Sequence, residues 1–187
     1  MKIINLFGGP GAGKTTLAYY LAYRFKQAGF RAELVGEAAR EIIYDRNPPD
    51  PDTGGVARQL IDNQFLISGL QSERIQRLFR RGVEVAIADS PLRMGLMYVN
   101  DPGMRTALKL AIRRFEEGYP HQLNVRVQRT PGKYDKESRA QTEHEATVLD
   151  DKIWEMMPKN PNDYATIWGH EEALFQYLLQ EVKREWN

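Results

Sequence analysis

Gly8-Gly9-Pro10-Gly11-Ala12-Gly13-Lys14-Thr15-Thr16 packs four glycines, a lysine and two threonines into nine residues. It fits the pattern G-x-x-x-x-G-K-[ST], and its flanks have the character that pattern needs. Before it, Lys2-Ile3-Ile4-Asn5-Leu6-Phe7 is a short apolar run ending in glycine, which suits a buried strand. After it, from Lys14 to Ala28, Leu17, Leu21 and Phe25 recur every four positions, and Gly29 supplies a helix stop. A strand, a glycine turn and a helix N-terminus make an anion cradle. Glycines let successive backbone N–H groups turn inward, and the helix dipole favours negative charge. The reading is a nucleoside triphosphate site with Gly8, Gly9, Pro10, Gly11, Ala12, Gly13, Lys14, Thr15 and Thr16 around the phosphates. Lys14 places a point charge between the β- and γ-phosphates; Thr15 offers its hydroxyl to Mg²⁺, with Thr16 behind it.

Strands and helices alternate through the rest of the chain. Arg31 to Val35 reads as the second strand and Glu37 to Tyr44 as a short helix. Asn47 to Gly55 is a loop, because its three prolines leave few backbone donors for a ladder. Val56 to Arg81 carries Ile61, Phe65, Ile75 and Phe79 at helical spacing, with Ser68 and Ser72 completing the stripe. Val83 to Ala88 is apolar and β-branched, hence a central strand, and delivers Asp89-Ser90-Pro91 at its C-terminal end. Pro91 suits the first turn of another helix. A helix from Met104 to Glu117, a strand near Leu123 to Val127 and a polar segment from Gln128 to Arg139 follow. Thr142 to Met157 reads as a helix with Ala146, Leu149 and Ile153 on one face; Tyr164 to Trp168 is the last strand. Leu174, Tyr177, Leu178 and Val182 mark the last helix. This order predicts an α/β fold, a parallel sheet with helices on both faces, in one domain over 1–187. Ligands of such sheets sit outside the carboxyl ends of the strands. Here that edge collects Gly8 onward, Gly36-Glu37, Asp89 and a lid at about 128–140.

Those loops supply the candidates for chemistry. Glu37 follows the second strand, where an acceptor hydroxyl needs a carboxylate to take its proton; a helix-capping acid is the other account of it. Asp89 ends a strand as a magnesium-holding carboxylate does, so Thr15 and Asp89 are the candidate metal ligands, with a helix cap again the alternative; Asp89 is also the second candidate, beside Glu37, to accept the proton of the attacking hydroxyl. From Arg126 to Arg139 there are five basic residues against two acidic ones. Arg129 and Arg139 are the candidates for closing over the transferring phosphoryl group, unless the segment is a solvated basic loop. Glu143, Glu145, Asp150 and Asp151 just beyond read as a solvated acidic face. Gln64 is placed to meet a base edge, and Gly169-His170 borders an adenine pocket or merely ends a strand. Tyr19, Tyr20 and Tyr23 read as packing and surface aromatics.

Composition narrows the classes. With 42% hydrophobic and 27% charged residues the chain matches ordinary globular domains, and no apolar run reaches the length of a membrane span. The first residues lack a signal peptide's apolar region and cleavage site, so a cytoplasmic protein is expected. Cysteine is absent, which excludes disulfides, thiolate zinc sites and cysteine nucleophiles. His121, His144 and His170 are scattered without metal-ligand spacing. A net charge of +1 leaves no bulk electrostatic footprint for nucleic acid, so any such contact depends on a local patch.

Four segments carry a resemblance: the Ile4 to Thr16 stretch, Glu33-Leu-Val-Gly-Glu37-Ala-Ala-Arg40, Ile87-Ala-Asp89-Ser-Pro-Leu92, and Arg129-x-x-x-x-Tyr134-x-x-x-x-Arg139-x-Gln-Thr-Glu-x-Glu-Ala. Together the chain resembles the small P-loop kinases of the nucleoside and nucleotide kinase type, and within them a bacteriophage branch that includes 5-hydroxymethyluracil DNA kinases. The resemblance implies a three-layer P-loop fold with five parallel strands in order 2-3-1-4-5. It implies ATP and Mg²⁺ as cofactors, and phosphorylation of the hydroxymethyl group of a modified base in phage DNA. Glu37 then takes the base position of polynucleotide kinases, where those enzymes carry aspartate, and Arg129 and Arg139 become lid arginines. Serine precedes Arg139 where the family pattern leads to glycine. Two other readings stand beside it: a kinase of a free nucleoside or nucleotide, and a P-loop NTPase that phosphorylates no acceptor.

Overall fold

The computed structural model of the chain describes residues 1–39, 63–129, 143–157, 164–167 and 170–184. Its elements, in chain order, are β1 (Lys2–Phe7), α1 (Lys14–Gln27), β2 (Ala32–Val35), α2 (Gln64–Arg80) and β3 (Val85–Ala88). A 3-10 helix (Leu92–Tyr98), α3 (Pro102–Glu117), β4 (Gln122–Gln128), α4 (Glu143–Met156), β5 (Tyr164–Ile167) and α5 (Glu171–Lys183) follow. Among the described residues no helix is long and apolar enough to cross a membrane.

All strand pairs are parallel, and the order is β2-β3-β1-β4-β5, the order that the resemblance implied. β1 is central, in register with β3 from Lys2↔Val85 to Asn5↔Ala88 and with β4 from Ile3↔Gln122 to Phe7↔Arg126. Its alternation feeds two cores. Ile4 and Leu6 face Leu17, Leu21 and Phe25 of α1 and Leu174, Phe175 and Leu178 of α5, all buried. On the other side Ile3 packs with Ile75 of α2, and Phe7 with Met94 and Ile153. Each fully buried Leu or Phe here contributes about 1.5–3 kcal/mol relative to exposure. Asn5 interrupts the second face; its Nδ2 donates to Asn124 Oδ1 at 3.1 Å and to Gln122 Oε1 at 2.8 Å.

Three expectations change. The helix expected from Val56 begins at Gln64, because the Asn63 side chain caps it by accepting from the Leu66 N–H at 3.1 Å; residues 56–62 lie outside the described residues. Its buried stripe is Gln64, Ser68, Gln71 and Ile75, whereas Phe65 and Phe79 are exposed. Pro91 starts a 3-10 helix in place of the expected α-helix: at ψ 150° it is an extended cap, outside the first helical turn. Of the helix expected from Glu37, only Ala38 and Ala39 are described as helical, and 40–44 and the loop from Asn47 to Gly55 lie outside the described residues.

Candidate active site

The phosphate loop leaves β1 at the centre of the sheet, and its glycines are required by contact. A Cβ on Gly8 would stand 2.6 Å from the Val127 carbonyl of β4. Gly11 and Gly13 have φ of 81° and 88°, where L side chains are strained, and Gly13 is the N-cap of α1. The cap has no side chain to accept from the first-turn N–H groups, so these remain donors for an anion.

Pro10, Gly11, Gly13, Lys14, Thr15 and Thr16 form one wall of a cavity of about 150 Å³; Glu37, Asp89, Ser90, Met94 and Tyr98 form the other. Three strand ends and the 3-10 helix therefore meet here, as expected for this edge of a parallel sheet. Thr15 Oγ1 donates to Asp89 Oδ2 at 2.7 Å. Asp89 is 4% exposed, and its other oxygen, Oδ1, is buried and accepts no hydrogen bond. A buried carboxylate oxygen without a donor is costly unless a cation joins it. That vacancy beside a threonine hydroxyl fits Mg²⁺, which takes few protein ligands and completes its shell with phosphate oxygens and water. Among the described residues no group of three or more acidic or histidine side chains offers a closed metal cage.

Glu37 is half-buried in the loop after β2, and α2 holds that loop in place. Gln71 Oε1 accepts from the Ala38 N–H at 3.2 Å, Gln71 Nε2 donates to the Ser90 carbonyl at 3.1 Å, and Arg74 donates to the Gly36 carbonyl at 3.0 Å. One buried amide thus ties the Glu37 loop to the Asp89 loop. Tyr98 faces Glu37; burial, with the Glu37 charge second, pushes its phenol above the usual range and keeps it protonated at neutral pH.

Arg129 stands elsewhere than expected. Its guanidinium lies behind the phosphate loop, donating to the Pro10 carbonyl at 2.8 Å and ion-paired with Asp150 at 3.4 Å, and it does not line the cavity. Asp150, expected on a solvated face, is 4% exposed, and its Oδ1 accepts from the Gly9 N–H at 2.6 Å. Lys14 Nζ donates to the Gly9 carbonyl at 3.0 Å. Gln64 is buried against Gly95 and lines no part of the cavity. Tyr19 and Tyr23 are exposed, and Tyr20 bonds Glu172. Arg139, like Gly169, lies outside the described residues. Sequence reasoning missed Gln71, Arg74, Tyr98 and Asp150. The first two share α2's helical period with Ile75, a signal missed because the stripe was drawn through Phe65, Ser68, Ser72, Ile75 and Phe79.

A family model described as AAA domain matches residues 3–173. A probable adenylyl-sulfate kinase from Archaeoglobus fulgidus is 31% identical over 164 residues, covering 85% of this chain and 91% of that protein. Among solved structures, deoxyadenosine kinase from M.mycoides with bound dATP aligns over 98% of this chain and 100% of its own, with a TM-score of 0.51 and 17% identity. The crystal structure of APE1195 covers 97% and 94%, with a TM-score of 0.50 and 20% identity. At these identities the two structures attest the fold. The sequence relative ties this chain to the kinase-like P-loop proteins.

Proposed function

The chain belongs to the AAA-domain family, and we propose that it transfers the γ-phosphoryl group of ATP, with Mg²⁺, to a hydroxyl of a free nucleoside or nucleotide. One observation carries this: the Glu37 carboxylate shares a single cavity with Lys14, Thr15 and Asp89, across from the phosphate loop, with Ser90, Met94 and Tyr98 completing its wall. A carboxylate and a partly apolar wall at that place suit an acceptor hydroxyl and the apolar body of the molecule that carries it. The relative at 31% identity supports the acceptor class, since adenylyl sulfate, the substrate in its name, is itself a nucleotide.

The roles follow from the geometry. The acceptor oxygen attacks the γ-phosphorus in line; the new O–P bond forms as the bond to the β–γ bridging oxygen breaks, ADP leaves, and the proton passes to Glu37. Lys14 leaves the Gly9 carbonyl for the phosphate oxygens. Thr15 and Asp89 would hold Mg²⁺, which would supply charge neutralisation for the transferring phosphates. Asp89 accepts from Thr15 and would face the metal, so Glu37 is assigned the proton.

The test incubates the purified full chain with Mg²⁺ and γ-labelled ATP against free nucleosides, nucleotides including adenylyl sulfate, thymine DNA, and DNA containing 5-hydroxymethyluracil. Label is expected in a free nucleoside or nucleotide. Label confined to hydroxymethylated DNA overturns the acceptor class and restores the resemblance-based expectation; ATP hydrolysis that labels no acceptor overturns phosphoryl transfer itself. Glu37→Gln is expected to lower kcat by roughly a hundredfold, with the KM for ATP little changed.

A further inference from the structure

Three consecutive backbone groups at the start of the phosphate loop are held by side chains. The Gly9 N–H donates to Asp150, the Gly9 carbonyl accepts from Lys14, and the Pro10 carbonyl accepts from Arg129. Only Lys14 belongs to the loop itself. Asp150 comes from α4, 141 positions away from Gly9 in sequence, and Arg129 from the end of β4. The side chains of Asp150 and Arg129 are 6% and 9% exposed, so their 3.4 Å ion pair is shielded from water.

The helix that delivers Asp150 is docked at a second point. Trp154, one turn further along the same face of α4, lies against the guanidinium of Arg126, three residues before Arg129. Burial lowers the Arg126 pKa, and the charges of Asp151 and Asp150 oppose that shift, so both acids stand within electrostatic reach of it. Two arginines at the end of β4 thus face an acid and an indole spaced i, i+4 on α4.

When Lys14 turns to the phosphates, the Gly9–Pro10 segment keeps Asp150 and Arg129 as its side-chain holders. We infer that Asp150 is the positioning residue of the phosphate loop, acting through Gly9 and Arg129 to keep the loop's N–H groups turned toward the nucleotide. A buried carboxylate so near the phosphates serves this purpose only while Arg129 balances its charge. The inference rests on the nucleotide-binding part of the proposed function, and its test needs no acceptor, so the two fail separately.

The test is titration of the full chain with a fluorescent ATP analogue in Mg²⁺, with the melting temperature of each variant recorded alongside. Asp150→Ala removes a charge-assisted hydrogen bond and is expected to weaken binding by about tenfold or more. Asp150→Asn keeps an oxygen for the Gly9 N–H and recovers most of the affinity. Arg129→Met leaves the carboxylate buried and unpaired behind the phosphates; adding Asp150→Asn to it is expected to restore binding, because the stranded charge is gone. A structural role alone predicts variants that melt lower but bind the analogue within twofold of the parent, and that result overturns the inference. So does a double variant that binds no better than Arg129→Met.

Discussion

Asp89 and Asp150 are both 4% exposed and both touch the phosphate loop, one from the cavity side and one from behind. Asp150 has both oxygens engaged, by Gly9 and by Arg129. Asp89 has one oxygen on Thr15 and the other on nothing. Burial alone therefore does not mark the ligand site. An unpartnered oxygen placed beside the Thr15 hydroxyl in the phosphate-loop cavity does, because a cation there would complete its shell.

The largest effect that can break this contrast is at Asp89. Asp89→Asn should cut Mg²⁺-dependent turnover by at least about a hundredfold, comparable to loss of a key electrostatic stabiliser. Its melting temperature should hold or rise, since a buried charge is removed. A lower melting temperature with intact turnover would place Asp89 with the scaffold.

Gln71 comes next, as the amide between the two catalytic loops. Gln71→Leu strands the buried Ala38 N–H and the Ser90 carbonyl, costing about 1–3 kcal/mol in denaturant unfolding. The same change lets Glu37 drift from Asp89, so kcat should fall by about tenfold, more than stability alone explains. The smallest effect belongs to a third carboxylate, Glu172, exposed yet fully partnered. It accepts from Arg24, Gln176 and Tyr20, and the Arg24 contact above all lowers its pKa from 4.5 to about 2. A depressed folded-state pKa stabilises the fold above about 4.5 and loses that contribution as pH falls toward 2. Glu172→Gln should therefore lower the melting temperature slightly at pH 7, and the gap to the parent should close between those two pH values. A constant gap would show that the pair stabilises through packing.

The phosphate loop was legible because its geometry is local: glycine positions, a lysine and a hydroxyl at fixed spacing define the turn whatever surrounds it. Lys2–Phe7 and Lys14–Gln27 followed from the same stretch, and Asp89 from its place at a strand end. Long-range partners were not legible. Asp150 stands in an acidic run with the composition of a solvated face, and only its contacts with Gly9 and Arg129 distinguish it from exposed Asp151. On α2, reading burial through hydrophobicity selected Phe65 and Phe79. Ile75 and Ser68 of that stripe are buried, but they share the buried face with the polar Gln64 and Gln71, the latter because it satisfies backbone groups of neighbouring loops. Arg129 was recognised as important, but its direction depended on which element lay behind the loop.

The amides of Asn5 and Asn124 have a role of their own. They are register partners on β1 and β4, and sliding the two strands by two residues would keep every side chain on its face. Sliding would part the amides inside the sheet, at about 1–3 kcal/mol for each group left without a partner. The cluster works as a vernier: β1 runs on into the phosphate loop and β4 into Arg129, so the two hydrogen bonds from Asn5 to Asn124 and Gln122 set how far each projects beyond the sheet relative to the other. The alignment of the site with its own support is thus measured from a point three residues inside the sheet, before either loop begins.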